Sequence, residues 1–273
     1  MKTILMTGAA GGVGSHLRRE LAAHYRFVLS DIQPIVELKA NETFIAANLT
    51  EPAALAPLMH GIDSIIHLGG FSVEGDWNTI LQTNIIGTHN LFEAARHARV
   101  KRLIFASSNH AVGFYQRDQI IDDRVVPKPD SRYGVSKVFG EALASLYADK
   151  YGMQMLCMRI GNVHDRPLDR RRLAIWCSPR DLAQLTTIGI EHPDIRFEIV
   201  YGCSDNARAW WDNGNARRRG YHPQDRSEDY ATEILAREPA QSNDARADQF
   251  QGGAFVSAEV GGDPFKNDQG AMR

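Results

Sequence analysis

The chain has 273 residues, 43% apolar and 23% charged, a balance that supports a folded core and excludes the low-hydrophobicity, high-charge composition of disorder. A formal net charge of −2 provides no basic excess for a polyanion, so no nucleic acid partner is expected. Cys157, Cys177 and Cys203 form no C-x-x-C pair and the ten histidines include no H-E-x-x-H, so neither a disulfide framework nor a metal is expected, and a reducing cytoplasm fits.

The apolar run after Lys2 stops at Thr7-Gly8, too short for a signal-peptide core, and reads as a buried strand over 3–7. No run of about 18 apolar residues follows anywhere, so no membrane span is expected. The strand enters Gly8-Ala9-Ala10-Gly11-Gly12-Val13-Gly14, a G-x-x-G-x-x-G loop opening a helix over 13–23. Such a loop alone can be only a tight turn. Between a strand and a helix, however, its missing side chains and free helix-start N–H groups suit a dinucleotide pyrophosphate. Asp31 follows a second strand, 26–30, at the distance where a carboxylate accepts from an adenosine ribose; its alternative is a strand-end turn residue. That carboxylate repels a 2′-phosphate, and Ile32-Gln33 add no compensating charge, which favours NAD over NADP.

Further strands read at 43–46, 63–68, 102–107, 155–160 and 196–201, alternating with helices of which 79–96 and 133–150 are the clearest after the first. That alternation predicts an α/β doubly wound parallel sheet, a Rossmann fold. We expect it to occupy 1–202, with a substrate-contacting segment at 161–177 and a small, dependent C-terminal substrate-binding region at 203–273. The latter includes a helix over 227–236 and a frayed end from Asp263. The triplets Arg170-Arg171-Arg172 and Arg217-Arg218-Arg219 would, by composition alone, be solvated faces.

Tyr133-Gly134-Val135-Ser136-Lys137 sets a phenol and an ammonium four residues apart, on one face of the 133–150 helix. A Y-x-x-x-K spacing often arises by chance as a surface pair. Here it follows a strand ending in Ser107-Ser108-Asn109, and a cation beside a phenol is expected to lower its pKa enough for general base work.

The order of glycine loop, strand-end serine and Y-x-x-x-K resembles the extended short-chain dehydrogenase/reductase superfamily. More narrowly, His67-Leu68-Gly69-Gly70-Phe71-Ser72-Val73-Glu74, Phe105-Ala106-Ser107-Ser108-Asn109-His110, Trp210-Trp211-Asp212-Asn213 and Phe250-Gln251-Gly252-Gly253 resemble bacterial uronate dehydrogenases. The resemblance implies NAD-dependent oxidation at C1 of D-glucuronate or D-galacturonate to an aldarolactone, by a cytoplasmic homo-oligomer in carbohydrate catabolism. It assigns catalysis to Tyr133, Lys137 and Ser108. Cofactor contacts fall on Gly8, Gly11, Gly12, Val13, Gly14, Asp31, Asn48, Leu49, Leu68, Gly69, Gly70, Asn84, Tyr133 and Lys137. Substrate contacts fall on Ser72, Ser108, Asn109, His110, Tyr133, Asn162 and Arg171, the last pairing with the C6 carboxylate, although Arg170 and Arg172 flank it closely. Asn162 departs from a serine expected near the substrate, and Asn48 from an aspartate near the adenine. Two other functions fit parts of the pattern: a sugar or sugar-nucleotide epimerase or dehydratase, and a non-catalytic dinucleotide sensor, the latter disfavoured by the presence of Tyr133 and Lys137.

Overall fold

Neighbouring residues along each strand bury toward opposite faces, and this alternation makes a sheet that needs helices on both sides. The computed structural model describes residues 1–239 and 242–258, so the end expected to fray from Asp263 lies outside the described residues. The order is β1 (Thr3–Thr7), α1 (Gly12–Leu21), β2 (Arg26–Ser30), β3 (Glu42–Phe44), α2 (Pro52–Leu55), β4 (Ser64–His67), α3 (Trp77–Ile80), α4 (Gly87–His97), β5 (Arg102–Ser108) and α5 (Arg132–Tyr151). There follow β6 (Gln154–Ile160), β7 (Asn162–Val163), α6 (Arg172–Ile175), β8 (Trp176–Cys177), α7 (Pro179–Glu191), β9 (Phe197–Gly202), α8 (Gly214–Arg218), α9 (Glu228–Arg237) and α10 (Ala245–Gln249).

Seven strands pair in parallel in the order β3-β2-β1-β4-β5-β6-β9. Ile4, Met6, Ile66, Ile104, Leu156 and Met158 face α1 and α7, through Leu17, Leu21, Leu182 and Leu185. Their neighbours Leu5, Ile65, Leu103, Phe105, Met155 and Cys157 face α4 and α5, through Leu91, Phe92, Ala144 and Tyr147. Each expected strand ends within two residues of its observed bounds. Among the described residues no helix is long and apolar enough to cross a membrane.

The helix expected over 79–96 is a composite. Between α3 and α4 the chain widens into a π-helical stretch, Leu81–Ile86, which hydrophobic spacing cannot reveal. The wide turn carries Asn84, whose Oδ1 accepts from Phe71 N (2.7 Å) and whose Nδ2 donates to Phe71 O (2.9 Å) and Ser136 Oγ (3.0 Å). Asn84 thus ties the loop after β4 to the helix that carries Tyr133.

The strand order reverses at β1, between β2 and β4, and ligands of open α/β sheets bind at such a switch beyond the carboxyl ends of the strands. Gly8, Asp31, Leu68, Asn109 and Asn162 all lie just past those ends.

Candidate active site

Gly8 takes φ +71°, and a Cβ there would stand 2.6 Å from Gly69 N, so the first turn of the loop admits no side chain. A Cβ on Gly14 would meet Gly8 O at 2.7 Å, while one on Gly12 would meet nothing within 4 Å. The loop is therefore closed against the protein and open above Gly12, where the first N–H groups of α1 have no intrahelical acceptor. This is a cradle with the shape and polarity for a pyrophosphate. Asp31 Oδ2 accepts from Ala10 N and Oδ1 from Gln33 N, both at 3.0 Å, which fixes the carboxylate against the loop and leaves lone pairs for ribose hydroxyls. The residues present fit NAD.

Leu49 closes the far side: its Cδ1 lies 2.8 Å from where a Cβ on Gly69 would be, and its carbonyl accepts from Asn90 Nδ2 (3.0 Å). Asn48 is exposed, its Oδ1 accepting from Thr50 N (3.0 Å). Gly70, at φ +146°, packs on Asn84 Oδ1, and Ser72 is exposed in the loop that follows.

Tyr133, Lys137 and Ser108 are each buried, with 7%, 7% and 5% exposure, and the structure brings all three together. The Ser108 hydroxyl lies near enough to the phenol to favour its ionised form, Lys137 Nζ lies 5.4 Å from the Tyr133 ring centre, and that ammonium donates to Ala106 O (2.8 Å). Burial pushes the phenol up to about 12, against the pull of the Ser108 hydroxyl, and pushes Lys137 down to about 8. Desolvation is the dominant influence on the phenol, and the Lys137 ammonium makes its hydrogen bond to the Ala106 carbonyl rather than to the phenol.

Of the arginine triplet, Arg171 alone turns toward Ser108 and its neighbours. Its Nε and Nη2 both donate to Gln251 O (3.1 and 2.7 Å); with the Asn109 amide assigned the orientation that its neighbours favour, Nη2 also donates to Asn109 Oδ1 (3.1 Å) and the amide nitrogen to Ile160 O (3.2 Å). Arg172 pairs with Asp169, and Arg170 reaches the carbonyl of Glu238. No carboxylate of the described residues pairs with Arg171. Burial, with Arg172 and Arg117 nearby, pushes it down to about 10. The solvated-face reading thus fails for Arg171 and holds for Arg217 and Arg218, which are exposed.

Asn162 lies on β7, paired with Trp176 of β8, and its Oδ1 is buried without a hydrogen-bond partner among the described residues. His110 is buried, with Nδ1 2.7 Å from Asp130 Oδ2, and stacks on Phe255.

Several supporting residues escaped the sequence reading. Glu74 Oε2 accepts from Tyr133 N (3.0 Å), an acid at the first turn of α5 where the helix dipole favours it. Gln251 accepts from Trp211 Nε1 (2.9 Å), donates to the carbonyls of Gln116 and Gln119, and offers its own carbonyl to Arg171. Asn213 brackets Tyr201 through N–H (3.0 Å) and carbonyl (2.7 Å). The Trp210-Trp211-Asp212-Asn213 and Phe250-Gln251-Gly252-Gly253 motifs thus work together as the mount of the arginine. Glu74 and Gln251 stood inside quoted motifs; Asp130 and Phe255 carried no spacing that could single them out.

Residues 4–166 match the NAD dependent epimerase/dehydratase family. A uronate dehydrogenase from Pseudomonas putida is 44% identical over 257 residues, 93% of this chain and 96% of that protein. The crystal structure of a glucuronic acid dehydrogenase from Chromohalobacter salexigens superposes with a TM-score of 0.92 at 44% identity, covering 97% and 99% of the two chains. A mutant uronate dehydrogenase from Agrobacterium tumefaciens, complexed with NAD, superposes with a TM-score of 0.91 at 38% identity, covering 95% and 98%.

Proposed function

We infer the reaction from the premise that the chain belongs to the NAD-dependent epimerase/dehydratase family, within its uronate dehydrogenase group: it is an NAD-dependent oxidoreductase of uronates. The bond oxidised is the C1 carbon–hydrogen bond of cyclic D-glucuronate or D-galacturonate, and the product is the aldarolactone. The observation that carries the substrate class is Arg171, a desolvated guanidinium held by neutral oxygens and lacking a carboxylate among the described residues. Such a charge is costly until an anion of matching geometry arrives, and a bidentate carboxylate matches.

NAD, when bound, supplies the positively charged acceptor for the C1 hydride. Ser108 holds the C1 hydroxyl oxygen, and Tyr133 acts as the phenolate, its own proton lost to solvent once the positive charges of Lys137 and the bound cofactor favour the ionised form; the phenolate oxygen then takes the hydroxyl proton. Lys137 keeps a positive charge behind the phenol and binds the cofactor ribose. Asn109 joins strand β5 to Arg171, so the groups that hold the two ends of the sugar are linked through one backbone segment. Ser72, His110 and Asn162 line the sugar between them. Residues 1–202 form the cofactor core in this reading; 161–177 and 203–273 form the substrate side, and the active species is a homo-oligomer. The free thiols Cys157, Cys177 and Cys203 agree with the cytoplasm.

The test is NADH formation by the purified protein with glucuronate, galacturonate, glucose and galactose. Stoichiometric NADH from the uronates supports the reading. An epimerised or dehydrated sugar without net NADH replaces it with the epimerase alternative, and no turnover with NAD binding intact points to the sensor.

A further inference from the structure

The turn after β5 sets a second buried acid–base pair beside Tyr133. Asp130 Oδ2 lies 2.7 Å from His110 Nδ1, and Asp130 Oδ1 accepts from the Ser131 hydroxyl (2.7 Å). The carboxylate is wedged in place: a Cβ on Gly113 would come within 1.8 Å of Oδ2, and one on Gly252 within 1.9 Å. The backbone adds a clamp, with Asp130 N donating to His110 O (3.3 Å). On the ring itself, Phe255 stacks at 3.7 Å between centres and 25°, and Tyr133 meets it edge-on at 5.8 Å. A carboxylate only accepts, so the hydrogen of the short contact belongs to Nδ1. The opposite edge, with Nε2, meets no hydrogen-bonding partner among the described residues.

We propose that Asp130 is a positioning residue that holds His110 as its Nδ1–H tautomer, so that Nε2 presents a lone pair to a sugar hydroxyl beside the one being oxidised. This rests on the uronate oxidation proposed above and deepens it. A neutral imidazole with Nε2 bare accepts from a hydroxyl and gives nothing to a carbonyl. It therefore selects a polyhydroxylated ring in a fixed rotation about the Tyr133 hydroxyl. Gly113, in the turn after β5, and Gly252, in the C-terminal region, leave the space that the carboxylate fills.

The test combines a spectroscopic and a kinetic arm. In protein labelled with 15N-histidine, two-bond 15N–1H correlations distinguish the tautomers, and the His110 signals are those missing from His110→Gln. The wild type should show His110 as Nδ1–H, and saturating glucuronate should move its Nε2 resonance. Asp130→Asn should shift the ring toward Nε2–H and raise the uronate KM at least tenfold, with NAD KM changed less than twofold. Adding Asp130→Asn to His110→Gln should change the uronate KM less than twofold further, because the carboxylate acts only through the ring. An Nε2–H or doubly protonated His110 in the wild type overturns the proposal, and that measurement does not depend on the Asp130 variant folding. Additive effects in the double variant overturn it too, since they would make Asp130 a scaffold residue. A wild type inactive on every uronate would sink the uronate reading instead, while the tautomer measurement would still decide this one.

Discussion

Two arginines near the carboxyl ends of the central strands are treated in opposite ways. Arg159, on β6, is 1% exposed and makes a two-pronged pair with Glu141 (2.9 Å for both bonds), which also accepts from Ser107 Oγ (2.6 Å). Its Nη1 donates to Tyr201 Oη (3.2 Å). Burial works against that guanidinium, yet the hydrogen bond and charge of Glu141 hold it above the usual arginine range. Among the described residues Arg171 bonds a carbonyl and an amide oxygen, and burial carries it down to about 10. The first site is an ion pair closed within the fold, whereas the second, among the described residues, feels Asp169 and Asp130 only at a distance and has no carboxylate in ion-pair contact. The contrast separates a charge used to hold the fold from one that we propose is kept for a ligand. Lys137 belongs with Arg171, since it is buried, pushed down to about 8 and bonded to a neutral carbonyl.

This comparison can be broken by substitution. The largest effect is expected from Tyr133→Phe, which leaves every cation in place and removes the proposed base. Turnover should fall by about 100- to 10,000-fold while uronate KM and melting temperature stay near wild type. A near-normal kcat would remove Tyr133 from the chemistry. Arg159→Met should cost about 3–5 kcal/mol in urea unfolding, because it strands Glu141 without its partner. A loss below about 1 kcal/mol would mean that the two arginines differ less than their contacts suggest.

Lys137→Met sharpens the contrast through pH. A lysine whose folded pKa is about 8, against about 10.4 unfolded, is protonated at a cost in the folded state at neutral pH. The variant should therefore be more stable than wild type at pH 7, by about 1–3 kcal/mol after the lost hydrogen bond, while being nearly inactive. The cost fades as pH rises from about 8 to about 10.4, so wild-type stability should gain on the variant across that window. Thermal melts from pH 7 to 10 decide this, and a wild type already the more stable at pH 7 would contradict it. The smallest effect falls on cofactor choice, where Asp31→Ala with Ile32→Arg should improve the NADP-to-NAD ratio of kcat/KM by about tenfold, on the order of 1.4 kcal/mol. Equal use of both cofactors by the wild type would show that Asp31 does not face the ribose.

The cofactor half was legible because its determinants are local. A glycine loop between strand and helix, an acid one strand later and Y-x-x-x-K on one helix each fall within a few residues, and apolar alternation gives the strands. The π-helical turn around Asn84 was not legible, since its spacing of apolar residues is that of an ordinary helix. The proposed substrate half could be read only through resemblance. Arg171 is one of three adjacent arginines, and what distinguishes it is a contact to Gln251, eighty residues along. Lys137 taught a further limit. Its spacing from Tyr133 was readable, but the balance between its charge and the burial of the phenol depends on Phe105, Ala106 and the closed interior around them.

The central claim is that Arg171 is a cation awaiting the C6 carboxylate, and the most direct test is kcat/KM for glucuronate and glucose in wild type and Arg171→Met. The wild type should oxidise glucose poorly, since a hexose leaves the guanidinium desolvated and unpaired. A charge-assisted bidentate contact contributes about 1.5–3 kcal/mol, so the substitution should lower kcat/KM for glucuronate about 10- to 100-fold, with NAD binding intact and the gap to glucose narrowed. Wild-type activity on glucose equal to that on glucuronate, or an equal loss on both sugars in the variant, would contradict the account.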